Sequence, residues 1–270
     1  MPSITALRTC VLDYYRRNRR ALPWRTTRDP YKILVSEVML QQTQVPRVIE
    51  KYTEFIRRFP TVESLTRAPL ADVLRAWQGL GYNRRAYLLR QLAARVAGDF
   101  GGTVPSDPAT LEKLPGVGKA TAKATCAFAF NKPVVFIETN IRSVFIHHFF
   151  PGRRGVTDAE LTPFVERALD AKNPRRWYSA LMDYGVHLKQ IYKNPSRRSA
   201  HHQKQGRFQG SDRQIRGLIL KCLLQGPRLT ERALINRAGT PGRRTKAVIA
   251  RLIEEELLRR QGRYIVLPKN

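Results

Sequence analysis

Acidic residues are scarce in this 270-residue chain: 21 Asp and Glu stand against 49 Lys and Arg, a formal charge of +28. Such an imbalance destabilises the compact state by self-repulsion unless a polyanion answers it, which favours nucleic acid over an anionic membrane surface as partner. Cysteine is nearly as rare. Cys10, Cys126 and Cys222 are odd in number and far apart, which excludes a disulfide framework or a cysteine metal cluster and fits a reducing compartment. No run of eighteen apolar residues exists to span a membrane. The mixed N-terminus, reaching Asp13, Tyr14 and Tyr15 early, does not have the form of a signal peptide. The expectation is a soluble intracellular protein.

Strand-like alternation is also missing up to about residue 192. Helical periodicity takes its place. Ile33, Val38, Leu40 and Val45 recur with helical spacing after Asp29-Pro30, and Leu88, Leu89, Leu92, Ala93 and Val96 form a stripe that Gly101-Gly102 ends. Further helices are expected over 5–20, 47–59, 70–78, 107–113, 119–130, 140–149, 158–170 and 176–192. Residues 1–192 therefore form an all-α domain. Residues 193–210 are polar, basic and poor in aliphatics, a linker composition.

Residues 211–270 form a second unit of three helices and a terminal β-hairpin, a winged-helix-like arrangement whose third helix enters a DNA groove. Arg243, Arg244 and Lys246 lie at that helix. Positive charge is densest here: residues 189–270 hold 20 basic and 5 acidic side chains.

One stretch carries chemistry. Leu114-Pro115-Gly116-Val117-Gly118 precedes an apolar helix and then Phe136-Ile137-Glu138-Thr139-Asn140. Gly116 and Gly118 permit a tight hairpin whose N–H groups point at one DNA phosphate, because glycine allows φ > 0 and close approach. Such a contact positions a protein on DNA without reading bases. A carboxylate at Glu138, opening the next helix beside the anchored strand, suggests chemistry as well as binding.

Six segments, the hairpin among them, occur in order: Leu22-Pro23-Trp24-Arg25, Asp29-Pro30-Tyr31, Ser36-Glu37-Val38-Met39-Leu40-Gln41-Gln42-Thr43-Gln44-Val45, Gly79-Leu80-Gly81-Tyr82, the hairpin, and Met182-Asp183-Tyr184-Gly185. Together they resemble the helix-hairpin-helix DNA glycosylases, specifically the MutY-type adenine glycosylases, over residues 20–190. The resemblance implies a helix-hairpin-helix DNA glycosylase fold, with the winged-helix-like domain appended in place of the family's own C-terminal domain. It makes Glu37 the acid that protonates the leaving base. Among apolar neighbours, that carboxyl gains a raised pKa and stays a proton donor near neutrality. Glu138 stands where the family carries an aspartate that supports the sugar cation, and Asn140 matches a polar residue assisting there. The extra methylene of glutamate matters, since misplacement by about 1 Å can cost 10²-fold in rate.

By the same resemblance Gln41, Gln42 and Tyr82 enter the base stack and contact the base opposite the target. Gly116, Val117, Gly118, Lys119 and Arg142 hold the phosphate backbone. Relatives that also cut the strand carry lysine where this chain has Ala120, so a monofunctional hydrolase is expected. The family's [4Fe–4S] cluster needs four cysteines after the Met-Asp-x-Gly helix, and residues 189–205 contain none. No iron–sulfur cluster is expected, and the ion left in the reading is a monovalent cation at the hairpin. The expected partner is duplex DNA carrying a mismatch or lesion, bound by a monomer with no membrane involved. Adenine opposite guanine or 8-oxoguanine is the first substrate reading. Glu138 and Ala120 keep open another base (thymine or uracil opposite guanine, or hypoxanthine), and a non-catalytic DNA-binding module is the reading outside enzymes.

Overall fold

The computed structural model describes residues 3–204, 206–226 and 228–268. These divide into two compact units, Met1–Glu37 with Pro105–Lys113 and Val117–Lys204, and Val38–Val104 with Leu114–Gly116 and Gln205–Asn270.

The first unit is helical. Ser3 starts α1 (Ile4–Asn18) by accepting from Ala6 N, and Asp29 starts α2 (Pro30–Leu40) by accepting from Tyr31 N at 2.9 Å, each satisfying a donor that a helix start leaves open. Following α3 (Val45–Arg58), α4 (Val62–Arg67), α5 (Leu70–Trp77) and α6 (Arg84–Phe100), which lie in the second unit, the first resumes. Its helices α7 (Pro108–Glu112) and α8 (Lys119–Phe130) flank the hairpin. After them come α9 (Thr139–Phe149), α10 (Asp158–Ala168), begun by a Thr157/Glu160 capping box, and α11 (Pro174–Ile191). The core gathers Leu7 and Val11 of α1, Phe145 and Phe149 of α9, and Trp177, Tyr178 and Leu181 of α11.

One glycine sets the closest approach in this core. A Cβ at Gly185 would lie 2.5 Å from the Asn140 backbone oxygen, so only glycine lets α11 pass the first turn of α9. Two residues earlier, the buried Asp183 carboxylate takes both Arg25 Nη atoms at 2.8 and 2.9 Å and the Arg20 backbone N–H at 3.0 Å. Burial alone would raise its pKa, but Arg25 and Arg20 hold it below the usual value. The Leu22–Arg25 and Met182–Gly185 motifs are thus two halves of one buried ion pair.

The stretch with linker composition carries ordered structure. A 3-10 turn, Pro195–Arg198, packs on α9, with Ser196 and Ser199 buried. Val156 and Ser199 form a parallel bridge, and Arg198 donates to the Phe150 and Ile146 carbonyls at 2.6 and 3.2 Å.

The second unit holds α3 (Val45–Arg58), α4 (Val62–Arg67), α5 (Leu70–Trp77) and α6 (Arg84–Phe100), and then the C-terminal elements. The latter are α12 (Asp212–Gln225), β1 (Arg228–Thr230), α13 (Glu231–Ala238), α14 (Gly242–Glu254), β2 (Arg259–Gln261) and β3 (Tyr264–Val266). The sheet is antiparallel in the order β1-β3-β2, with Leu229 opposite Ile265 and Arg260 opposite Ile265. Three helices and a hairpin were expected, but β1 was not. Its three residues are too few to show alternation, and Thr230 also caps α13 by accepting from Ala233 N, so the helix signal masks the strand.

Candidate active site

Glu37 lies on α2 among Ile33, Leu34, Ser36, Val38 and Met39, all buried, and is itself half-buried. Burial pushes its carboxyl up to about 8, and the nearby Glu138 carboxylate adds to the rise. Near neutrality Glu37 therefore carries a proton.

Glu138 is the N-cap of α9. Its Oε1 accepts from Asn140 N at 2.6 Å and Ile141 N at 3.0 Å, and its Oε2 accepts from Asn140 Nδ2 at 3.2 Å. Capping by folding back is ordinarily the work of shorter side chains, so the additional methylene is absorbed by curling the chain onto its own helix. Burial raises the Glu138 pKa, opposed by Lys189, the cap N–H groups and Arg142. The first unit thus brings together two carboxyls in contrasting settings. Both are desolvated and raised by burial, but only Glu138 has N–H donors and positive charge opposing the rise.

Around this pair, Asn140 is half-buried and Arg142 forms a bidentate ion pair with Asp158 at 2.7 and 2.6 Å. Lys189, which the sequence reading did not single out, donates to Asn140 Oδ1 at 2.8 Å and Thr139 Oγ1 at 3.2 Å. Its signal was helical spacing: Lys189 falls four residues after Gly185, on the same face of α11.

At the hairpin, Leu114 and Val117 are buried while Gly116, Gly118, Lys119 and Ala120 are exposed. Only one of the two glycines needs a positive φ. Gly116 has φ +77, with its would-be Cβ 3.1 Å from Leu88 Cβ, whereas Gly118 is extended at φ −94 and opens onto free space. Gly118 is the N-cap of α8 and supplies no side-chain cap, so the first N–H groups of that helix are available to an anion. The Gly116 carbonyl accepts from Gln41 Nε2 at 3.3 Å.

In the second unit, Gln42 and Tyr82 both take left-handed backbone conformations, at φ 55 and 47. Arg85 is buried beneath them and donates to the Val38, Met39 and Gln41 carbonyls at 2.7–2.8 Å and to Thr43 Oγ1 at 2.9 Å. It thereby closes the end of α2 and ties it to the loop before α6. Tyr82 is half-buried. The guanidinium of Arg85 and that of Arg213 each lie 5.5 Å from its ring centroid. Both arginines escaped sequence reading, since nothing in the local pattern marks them.

On α14, Arg243, Arg244 and Lys246 are exposed. Arg244 pairs with Asp212 at 2.7 Å, and Lys246 lies 3.9 Å from Glu231. Cys10, Cys126 and Cys222 sit singly on α1, α8 and α12, and among the described residues no three His, Cys, Asp or Glu are grouped to hold a metal ion. Nor is any described helix long and apolar enough to cross a membrane.

Comparison with known proteins bears on this arrangement. A profile of the HhH-GPD superfamily base excision DNA repair proteins matches residues 35–166. Adenine DNA glycosylase of Mycolicibacterium smegmatis is 32% identical over 277 residues, covering 90% of each chain. That of Mycobacterium tuberculosis is 45% identical over 148 residues, which are 53% of this chain and 49% of that one, so the match spans about half of that relative's length. Among solved structures, a thermostable thymine-DNA glycosylase aligns with a TM-score of 0.61 at 30% identity, covering 68% of this chain and 86% of the other.

Proposed function

The chain belongs to the HhH-GPD superfamily of base excision DNA repair proteins, and from that premise we propose that it is a monofunctional DNA glycosylase. It hydrolyses the N-glycosidic bond of a mispaired base, adenine opposite guanine or opposite 8-oxoguanine. The observation that carries this reading is the pair of buried carboxyls with unlike partners: Glu37, raised to about 8 by burial and by Glu138, and Glu138, also raised by burial but opposed by N–H donors and flanking cations. Glycosidic cleavage through a sugar cation needs a proton for the leaving group and negative charge beside the ring, and two carboxyls in unlike environments divide those tasks.

In this reading Glu37 donates its proton to the extruded base and, once ionised, accepts one from the attacking water. Glu138 and Asn140 face the sugar. The N–H groups at Gly118 and Lys119 hold a backbone phosphate, and Gln41, Gln42 and Tyr82 fill the gap left by the base. Extrusion costs a few kcal/mol and is cheapest at a mismatch. Arg243, Arg244 and Lys246 add duplex contacts. Ala120 offers no amine, so the strand is left uncut. A [4Fe–4S] cluster does not fit, because three scattered cysteines cannot supply four ligands; the protein works without it. Its setting is duplex DNA inside the cell, at the nucleoid, acted on by a monomer.

The test is incubation with duplexes carrying single mispairs, followed by alkali and separation of strands. Breaks at A opposite G or 8-oxoguanine support the reading. The 30% identity to a thymine-DNA glycosylase makes T or U opposite G the second reading, distinguished by breaks at the pyrimidine. Tight binding with no alkali-labile product from any duplex overturns both and leaves a binding module.

A further inference from the structure

Lys189 stands in an unusual place. It reaches the first turn of α9 from α11, four residues beyond the glycine that lets the two helices touch. A helix start is the positive end of the backbone dipole, where a cation is disfavoured. Both of its hydrogen-bond acceptors, Asn140 Oδ1 and Thr139 Oγ1, are neutral. Neither the dipole nor these partners accounts for a positive charge here. Glu138 does.

An amide can be turned either way, and its neighbours decide which. Lys189 has donors only, so it draws Asn140 Oδ1 toward itself. Nδ2 is then left facing Glu138 Oε2 at 3.2 Å and Met182 Sδ at 3.6 Å. With the amide reversed, two donors would face each other across 2.8 Å and a carbonyl would face the carboxylate. We propose that Lys189 is the positioning residue of this site: it fixes the Asn140 amide so that it donates to Glu138, and its charge favours the ionised form of that carboxyl. The proposal rests on the glycosylase reading for the task that anion performs, though not for the arrangement itself.

The other charged groups around Glu138 leave this role open to Lys189. Arg142, on the same helix, is matched by Asp158 of α10. Glu37, from α2, is itself pushed toward its protonated form by Glu138 and offers it no positive charge. Arg198, from the 195–198 turn, binds carbonyls at the far end of α9. Burial lowers the Lys189 pKa while Glu138 sustains it, as expected of two groups that depend on each other's charge.

Two substitutions separate charge from hydrogen bonding. Lys189→Gln keeps a donor for Asn140 and removes the charge; Lys189→Arg keeps the charge. Single-turnover cleavage of an A·G duplex, measured across pH, should show the acidic limb of Lys189→Gln moved at least one pH unit upward, with the rate on that limb lower by about tenfold or more at a given pH. Duplex affinity should change less than twofold, and Lys189→Arg should return the limb toward its original position. An unmoved limb, or a loss of rate that only follows loss of folded protein, overturns the proposal. A second measurement does not depend on activity: ¹³C NMR titration of the Glu138 carboxyl. An upward displacement in Lys189→Gln supports the assignment even if no duplex is cleaved, in which case the glycosylase reading alone fails. A Glu138 titration unchanged by the substitution refutes the positioning role whatever the enzyme does.

Discussion

Arg213 donates to the Tyr82 hydroxyl at 2.9 Å while its guanidinium lies over the same ring, 5.5 Å from the centroid. The arginine begins the C-terminal three-helix element, on α12, and a further bond to the Gly206 carbonyl steadies it. A tyrosine assigned to the base stack is therefore held by the appended domain. A cation–π contact with a hydrogen bond is worth about 0.5–2 kcal/mol. Arg213→Ala should accordingly weaken mismatch binding by roughly 3- to 30-fold. In a double-mutant cycle with Tyr82→Phe the two losses should be less than additive. Fluorescence titration of mismatched and matched duplexes reads this directly, and full additivity would separate the two residues.

The protonation of Glu37 sets both activity and stability. Above about pH 8 the proton is lost, so the cleavage rate should fall there, while its acidic limb follows ionisation of Glu138. Glu37→Gln should lower single-turnover cleavage by 10²- to 10⁴-fold with little change in duplex affinity. Its stability should move the other way. A carboxyl whose folded pKa exceeds the ordinary 4.5 contributes stability that is complete below 4.5 and lost as pH rises through about 8. Glutamine does not titrate. The melting temperature of Glu37→Gln should thus pull ahead of the wild type across pH 4.5–8 and hold a constant lead above it, as thermal scans at several pH values would show.

Gly185→Ala should be among the most damaging single changes. The added methyl meets the Asn140 carbonyl oxygen at 2.5 Å and the Asn140 Cβ at 2.7 Å, and backbone cannot yield as a flexible side chain can. Separating α11 from α9 costs about 1–3 kcal/mol by overpacking, and it displaces the Asn140 end of the site. Cleavage should fall further than stability alone explains, measured on protein shown to be folded by circular dichroism. Gly217→Ala, on α12 with open space around its Cβ, serves as the control and should be neutral or slightly stabilising.

What could be read ahead of the structure followed from how local each signal was. Helix periods along α6, α8 and α11 are carried by many residues, and their ends by Gly101, Gly118 and Pro174, so the expected bounds fell within a few residues. Glu37 announced itself by apolar neighbours in sequence. Lys189, Arg85 and Arg213 act on partners 49, 44 and 131 positions away, distances over which no periodic pattern points. The same is true of Gly118, whose lack of a side chain is used for open approach instead of a left-handed turn. Within 193–210, residues 194–200 are ordered by hydrogen bonds to one another and to other elements, which composition does not record.

That stretch bears on the last prediction. Residues 194–200 are fastened by hydrogen bonds. Asn194 Oδ1 accepts from Ser196 Oγ at 2.7 Å, Arg198 closes two carbonyls at the end of α9, and Val156 is bridged by the Arg198 carbonyl and the Ala200 N–H at 3.1 and 2.9 Å. A hydrogen bond to a charged donor contributes about 1.5–3 kcal/mol, and the carbonyls it leaves behind are part-buried. Arg198→Ala should therefore lower stability by about 2–4 kcal/mol in urea unfolding, with no change in m-value if the native fold is kept. Prolonged treatment with iron chelators should leave the melting temperature of the wild type unchanged, and metal analysis should find less than stoichiometric iron. A chelator-sensitive melting temperature would mean that a metal, and not Arg198, fastens this segment to α9.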